Sequence, residues 1–284
     1  MITPPDSPIL REAVTRALGE DRGPMDVTSM AVIPEQARAS ARIFAKEPCV
    51  LAGLIVASRV FNEEDAGLTL TETSEDGATL EKGATVLEIK GRARSILTAE
   101  RTALNFIQQL SGVATRTRQF VMAVEGTGCR ILDTRKTAPA QRHLQKYAVR
   151  CGGGTNHRMG LYDMVMMKDN HLALMGPGST WAEAVARCRD LAPEIKIEIE
   201  ADTLEQVALL AELPIDRILL DNMSNEQMTE AVRIIAKRCE TEASGNMTLE
   251  RVQSVAATGV DYISIGALTH SVTAIDFSLE LVPA

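Results

Sequence analysis

The chain has 284 residues, 45% hydrophobic and 24% charged, with 3% aromatic and a formal net charge of -8 at pH 7. Those proportions exclude a disordered, collagen-like or coiled-coil chain. No apolar run reaches the roughly 18 residues of a membrane span, and an acidic, aromatic-poor chain lacks the surface of a general nucleic-acid binder.

The opening residues Met1-Ile2-Thr3-Pro4-Pro5-Asp6 have no basic flank and no apolar core, so no signal peptide is expected. Cys49, Cys129, Cys151, Cys188 and Cys239 are odd in number and lack CxxC or zinc-finger spacing; they read as reduced thiols of a cytoplasmic protein. A helix is expected over 9–20, then a turn at Arg22-Gly23-Pro24. Strand-like stretches follow over 39–45, 67–73 and 84–89, punctuated by Glu75-Asp76-Gly77 and Glu81-Lys82-Gly83. This predicts a small antiparallel sheet with helices on one side. A long helix is predicted over 98–124, where Leu104, Ile107, Leu110 and Val113 keep helical spacing.

Beyond it the rhythm changes. Short apolar runs at 130–133, 164–167, 195–199, 218–220, 241–243 and 262–265 alternate with helical patterns at 139–150, 181–191, 204–213, 225–238 and 249–257. Repeated βα units predict a parallel sheet. From Glu200 to Asp221, Ser244 and Gly266 the steps are 21, 23 and 22 residues, room for one short strand and one helix each. A (β/α) barrel or a doubly wound sheet would gather such strand ends on one face. The barrel is favoured, because no GxGxxG fingerprint follows an early strand. With six or seven visible strands it falls short of eight.

The strand ends carry the chemistry. Residues 129–158 hold Arg130, Arg135, Lys136, Arg142, Lys146, Arg150 and Arg158 with His143 and His157, against the single acid Asp133. Such a stretch in an acidic chain suggests an anionic ligand. Arg142, Lys146 and Arg150 fit a solvated helix face. Arg135 and Lys136 directly follow a strand, and His157-Arg158 follow Gly152-Gly153-Gly154, so these four are read as functional. Lys168 ends a strand of buried composition, where it either pairs with a neighbouring strand end or binds phosphate or carboxylate. Glu200 and Asp221 close consecutive strands; they hold Mg²⁺, stabilise a developing cation, or neutralise Lys168 and Arg135. Glu198 shares the parity of Glu200. Ser244-Gly245-Asn246 and Gly266-Ala267-Leu268 supply exposed backbone N–H groups for a phosphate, or only tight turns. Of the other histidines, His270 lies four residues past Gly266. Trp181 and the methionines read as core packing.

Several stretches together resemble the quinolinate phosphoribosyltransferase family over nearly the whole chain. They are Glu100-Arg101-Thr102-Ala103-Leu104-Asn105 with Leu110-Ser111-Gly112, Asp133-Thr134-Arg135-Lys136-Thr137, Lys146-Tyr147, Gly152-Gly153-Gly154 with Asn156-His157-Arg158, Lys168-Asp169-Asn170-His171, Leu220-Asp221-Asn222, Glu242-Ala243-Ser244-Gly245-Asn246 and Gly266-Ala267-Leu268-Thr269. The resemblance implies an α/β fold of the type II phosphoribosyltransferase kind. A smaller N-terminal α/β sandwich domain (1–112) would sit with an incomplete (β/α) barrel (113–273), and 274–284 would return to the N-terminal domain. It implies Mg²⁺-dependent transfer from 5-phosphoribosyl 1-pyrophosphate to quinolinate with decarboxylation, giving nicotinate mononucleotide, pyrophosphate and CO₂ in NAD biosynthesis. It also implies a homodimer in which the partner's N-terminal domain covers each mouth, with no nucleic acid and no membrane involved.

Carried over residue by residue, the resemblance gives Arg135, Lys136, His157, Arg158 and Lys168 to the two quinolinate carboxylates, with Arg101 arriving from the partner. It gives Lys168, Glu200, Asp221, Ser244, Gly245, Asn246, Gly266, Ala267 and His270 to 5-phosphoribosyl 1-pyrophosphate. Lys168, Glu200 and Asp221 would be catalytic, and Glu200 and Asp221 would hold the metal. The departures are Met25 before Asp26 and Cys49, both where the family usually has glycine. The alternatives are a paralogous phosphoribosyltransferase acting on another base, a non-catalytic phosphoribosyl sensor, or a barrel lyase using Lys168 as a Schiff base.

Overall fold

The computed structural model describes residues 2–283. By backbone proximity the chain divides into two units: Met1–Arg118, Thr137–Gly153 and Leu268–Ala284 form one, and Gln119–Lys136 with Gly154–Ala267 the other.

The first unit opens with α1 (Ser7–Arg22), whose Leu10, Val14 and Leu18 form one buried stripe. A short α2 (Val27–Val32) follows; the Asp26 side chain caps it by accepting the Ser29 N–H at 2.9 Å. Then come β1 (Arg38–Ala45), β2 (Cys49–Val50), α3 (Leu54–Glu64), β3 (Thr69–Glu72), β4 (Thr79–Leu80), β5 (Thr85–Arg92) and the 31-residue α4 (Ala93–Ala123). The antiparallel sheet runs β12-β1-β5-β3, with β12 (Phe277–Pro283) contributed from the far end of the chain.

In β1 the alternation is regular: Ala39, Ala41, Ile43 and Ala45 face the core. The core adds Val60, Phe61, Val86, Leu87, Ile89 and Phe277, all 2% exposed or less. Each such large side chain contributes about 1.5–3 kcal/mol. The β2–β4 ladder and the chain beyond it are tied to α4 by hydroxyls: Ser111 accepts the Ala52 N–H at 3.0 Å, and Thr115 accepts the Val50 N–H at 2.9 Å.

The α3 helix was not visible in the sequence pattern because nearly every side of its first two turns is apolar or small. Leu54, Val56, Ala57, Ser58, Val60 and Phe61 are all buried, which erases the 3.6-residue contrast. The long α4 begins five residues before the predicted start, directly off β5.

The segment 137–153, counted with the barrel from sequence, groups with the first unit. It contains α5 (Arg142–Cys151). Tyr147 donates to Asp76 at 2.8 Å, Arg150 donates to the Thr3 carbonyl at 2.8 Å, and Gly152 presses so closely on α4 that an added Cβ would lie 2.4 Å from the Ala114 carbonyl oxygen. Lys146, expected on a solvated face, is 1% exposed. The expectation of core methionines also fails in part: Met25, Met30 and Met122 are more than half exposed, and Trp181 is only half-buried.

The second unit is a six-stranded parallel sheet in the order β6-β11-β10-β9-β8-β7. Its strands are β6 (Arg130–Leu132), β7 (Val165–Met167), β8 (Ile197–Ala201), β9 (Arg217–Asp221), β10 (Glu240–Ser244) and β11 (Tyr262–Ser264). A one-residue bridge, Leu132 to Thr155, adds a seventh position beside β6. The last strand, β11, pairs with the first, β6, so the sheet curls back on its own beginning as an incomplete barrel. The intervening helices are α6 (Asp169–Leu174), α7 (Trp181–Leu191), α8 (Leu204–Leu210), α9 (Asn225–Ile235) and α10 (Leu249–Ala256), with α11 (Ala267–His270) after β11. Three of them start at reciprocal capping boxes, Thr180/Glu183, Thr203/Gln206 and Ser224/Gln227, and the last two set helix starts a few residues beyond β8 and β9. Ile197, Ile199, Ile218, Leu220 and Ala243 on these strands are all fully buried.

Candidate functional site

Parallel pairing in register brings the C-terminal strand ends to one rim: Met167 stands beside Ile199, Ala201 beside Leu220, and Asp221 beside Ser244. Nearly all the residues singled out from sequence follow these ends. The exceptions are Arg101, exposed on α4, and His270, exposed at the end of α11; both belong to the first unit.

One side of the rim is cationic. Arg135 and Lys136 follow β6, and His157-Arg158 follow the Thr155 bridge. The wholly buried Asp133 joins the two loops: its carboxylate accepts Asn156 Nδ2 at 2.6 Å and the His157 N–H at 2.9 Å. The Arg158 guanidinium donates to the Met164 carbonyl at 3.1 Å. Its pKa is lowered by burial and by the like charge of Arg135. Two guanidiniums that repel one another in a half-buried place are prepared for an anion that relieves both.

The other side is acidic. Glu200 ends on the rim from β8 and pairs with Lys168, which follows β7. Asp221 closes β9 and accepts Asn222 Nδ2 at 2.6 Å. Glu200, Asp202 and Asp221 each present a carboxylate oxygen within 4.8 Å of the others. Asp202 lies one residue beyond β8 and was missed; the strand-end rule that picked out Glu200 stops two positions short of it.

Between β10 and α10, Ser244-Gly245-Asn246 turn tightly. Gly245 has φ +99°, and a Cβ there would lie 2.1 Å from the Asn222 Oδ1, so only glycine fits. Arg251 braces this turn, donating to the Gly245 carbonyl at 3.2 Å and the Met223 carbonyl at 2.9 Å. Gly266 and Ala267 lie just past β11 on the same rim.

Below the rim the strands carry charge where a barrel ordinarily packs branched apolar residues. The His157 ring, 5% exposed, is turned onto this layer rather than outward: Nε2 is 3.0 Å from Glu198 and 3.3 Å from Glu242. Burial disfavours charge on the ring, but the two carboxylates beside Nε2 more than offset it and raise the pKa from 6.5 to about 9. The Arg158 N–H, 2.7 Å from Nδ1, works against a second ring proton, but one neutral dipole is outweighed by two buried carboxylates. Arg217 donates to Glu242 at 2.7 Å and to Glu240 at 2.9 Å, and lies 4.0 Å over the Tyr262 ring. Burial pushes Glu198 up in pKa, as does the Glu242 charge; His157 and Arg217 hold Glu242 down against its own burial. Of this layer, sequence parity pointed to Glu198 alone. The same alternation run along β9 and β10 would have found Arg217, Glu240 and Glu242.

Comparison with known proteins is consistent along the chain. The family described as "Quinolinate phosphoribosyl transferase, C-terminal domain" matches residues 113–280, and the N-terminal domain of the same family matches 26–111. The chain is 45% identical over 278 residues to the nicotinate-nucleotide pyrophosphorylase [carboxylating] of Mycobacterium leprae, covering 95% of this chain and 96% of that protein. Among solved structures, NadC from Streptococcus pyogenes superposes with a TM-score of 0.94 at 40% identity, covering 99% of each chain. The nicotinate-nucleotide pyrophosphorylase of Francisella tularensis gives 0.92 at 38% identity, again over 99% of each.

Proposed function

The chain belongs to the quinolinate phosphoribosyltransferase family, and from that membership we propose that it transfers a phosphoribosyl group from 5-phosphoribosyl 1-pyrophosphate to quinolinate with loss of one carboxylate, giving nicotinate mononucleotide, pyrophosphate and CO₂. The observation that carries this reading is the two-sided rim: mutually repelling Arg135 and Arg158 on one side, and Glu200, Asp202 and Asp221 on the other.

Arg135, Lys136, Arg158 and Lys168 hold the two carboxylates of the base, and cations in number are what a buried dianion requires. The pyridine nitrogen attacks the anomeric carbon as the bond to pyrophosphate breaks. Cationic character then develops on the ribose, and the carboxylates of Glu200 and Asp221 stabilise it. Lys168, paired with Glu200 in the free protein, exchanges that partner for a substrate anion. Ser244, Gly245, Asn246, Gly266 and Ala267 cradle the 5-phosphate. The ring, now a pyridinium, accepts the electron pair of the breaking carbon–carboxylate bond, CO₂ departs and the carbon takes up a proton. No protein nucleophile is needed.

The donor set of Glu200, Asp202 and Asp221 is all carboxylate oxygen, the hard chemistry that suits Mg²⁺. When bound there the ion would neutralise charge on the leaving pyrophosphate.

A homodimer with a shared mouth belongs to the same proposal. Met25, Val27, Met30 and Val32 are each at least 51% exposed within eight residues, an apolar cluster that a second copy would cover. Arg101, exposed on α4, is then the arginine that one copy lends to the other.

The test is CO₂ release from carboxyl-labelled quinolinate, with and without 5-phosphoribosyl 1-pyrophosphate and Mg²⁺. Release requiring the sugar phosphate and the metal supports the reaction and its metal. Release without Mg²⁺ removes the metal, and no release from folded protein overturns the substrate. Arg101→Ala and Lys168→Ala should each be inactive alone and regain part of the activity when mixed. Confirmed mixed dimers without activity would remove the shared mouth.

A further inference from the structure

We propose that Glu242, braced by Arg217, is a positioning residue for the base-binding side of the rim: it holds the His157 ring and thereby fixes where Arg158 stands. The proposal rests on the function proposed above.

The segment carrying Arg158 needs such an anchor. Between α5 and β7 its ladder contact is the single bridge at Thr155, so side chains must place it. Asp133 fixes the His157 N–H from one side. From below, the ring is gripped at Nε2 by Glu198 and Glu242, on strands that are not neighbours but flank β9. Glu242 does not move freely, because the Arg217 guanidinium holds it at 2.7 Å while donating to Glu240 at 2.9 Å and covering the Tyr262 ring. Tyr262 donates in turn to Glu240 at 3.0 Å. An unbroken run of fixed contacts thus leads from the N-terminal ends of β9, β10 and β11 up to the residue next to Arg158.

Stability does not account for this layer. Glu198 and Glu242 are both wholly buried, and such ion networks are often no more stabilising than apolar residues of the same volume. A placing role does account for it, since a guanidinium displaced by about 1 Å can cost about 100-fold in turnover of the ligand it orients. A buried metal held by His157, Glu198 and Glu242 is the competing use of the same atoms, which lie within 4.8 Å of one another. Arg217 argues against it, because its charge already occupies Glu242 and would repel the ion.

Steady-state kinetics on the intact enzyme test the proposal. Glu242→Gln keeps the shape and removes the charge. It should raise the quinolinate KM about tenfold or more, leave the 5-phosphoribosyl 1-pyrophosphate KM within about threefold, and add little to His157→Gln when the two are combined. Arg217→Lys, which keeps the charge but shortens the fork, should show the same selective rise in milder form and serves if Glu242→Gln does not fold. An apparent kcat lowered in proportion to lost folded protein with both KM values unchanged, an equal rise in both KM values, or fully additive effects of Glu242→Gln and His157→Gln overturn the proposal. Wild-type enzyme assayed alongside separates the two claims. If it turns over quinolinate and the variants match it, only the positioning role falls; if it does not use quinolinate, both fall.

Discussion

The first unit and the barrel spend their burial differently. Around β1 and β5 the interior is Ile43, Phe61, Leu87, Ile89 and Phe277, side chains that need only fit. On the barrel strands, Glu198, Arg217, Glu240, Glu242 and Tyr262 form a charged layer in which each group needs a particular partner. An apolar core tolerates substitutions of similar volume, whereas a charged layer fails when one partner goes. The contrast teaches that the first unit is built chiefly to be stable and the barrel interior chiefly to hold its rim in place.

The largest expected effect lies on the stable side. Phe61→Ala empties a fully buried site and should cost about 3–5 kcal/mol, read by denaturant titration, with kcat/KM unchanged per folded molecule. A large kinetic defect there would blur the contrast. Next is Gly245→Ala on the rim, where positive φ and the close Asn222 oxygen force a local shift of about 1–3 kcal/mol in strain. It should raise the 5-phosphoribosyl 1-pyrophosphate KM more than the quinolinate KM, and an equal change in both would move the cradle elsewhere.

The smallest effects are pH arms that separate the units. His157 faces Glu198 on β8, Glu242 on β10 with Arg217 behind it, and Asp133 at its backbone. Its pKa, raised to about 9, gives stability that is complete below its unfolded value of about 6.5 and is lost as pH rises through about 9. In the first unit Asp65 is held well below the carboxylate range by Arg92, with further help from the Gly67 N–H and Ser95. Its contribution is present above about pH 4 and is lost as pH falls through the lowered value. Tm followed across pH should therefore lose part of its alkaline fall in His157→Gln and part of its acid fall in Asp65→Asn. A swap of the two assignments would contradict the picture.

The sequence made the rim legible because a parallel barrel repeats: apolar run, polar end, helix, at near-constant spacing. Lys168, Glu200, Asp221 and Ser244 all sit where that repeat put them. The layer beneath was harder to see. Arg217, Glu240 and Glu242 alternate with apolar neighbours on strands expected to be apolar throughout, and only the third dimension shows that they meet. The Thr155 bridge left no trace either, since one residue has no period. The grouping of 137–153 with the first unit was equally hidden, because Tyr147–Asp76 and Gly152–Ala114 are long-range contacts that local pattern does not encode.

The antiparallel partnership of β1 with β12 has a consequence for synthesis. Arg42 and Glu280 form an ion pair across 238 residues of chain. While a ribosome makes everything between them, the backbone hydrogen bonds on one side of β1 have no strand to meet. Such an open edge invites pairing with another nascent chain, and the charged Arg38 and Arg42 are the kind of residues that discourage it. The barrel, assembled from neighbours in sequence, can form as its repeats emerge. The sheet waits for β12 to close it, so the chain guards an unfinished seam until that strand has been made.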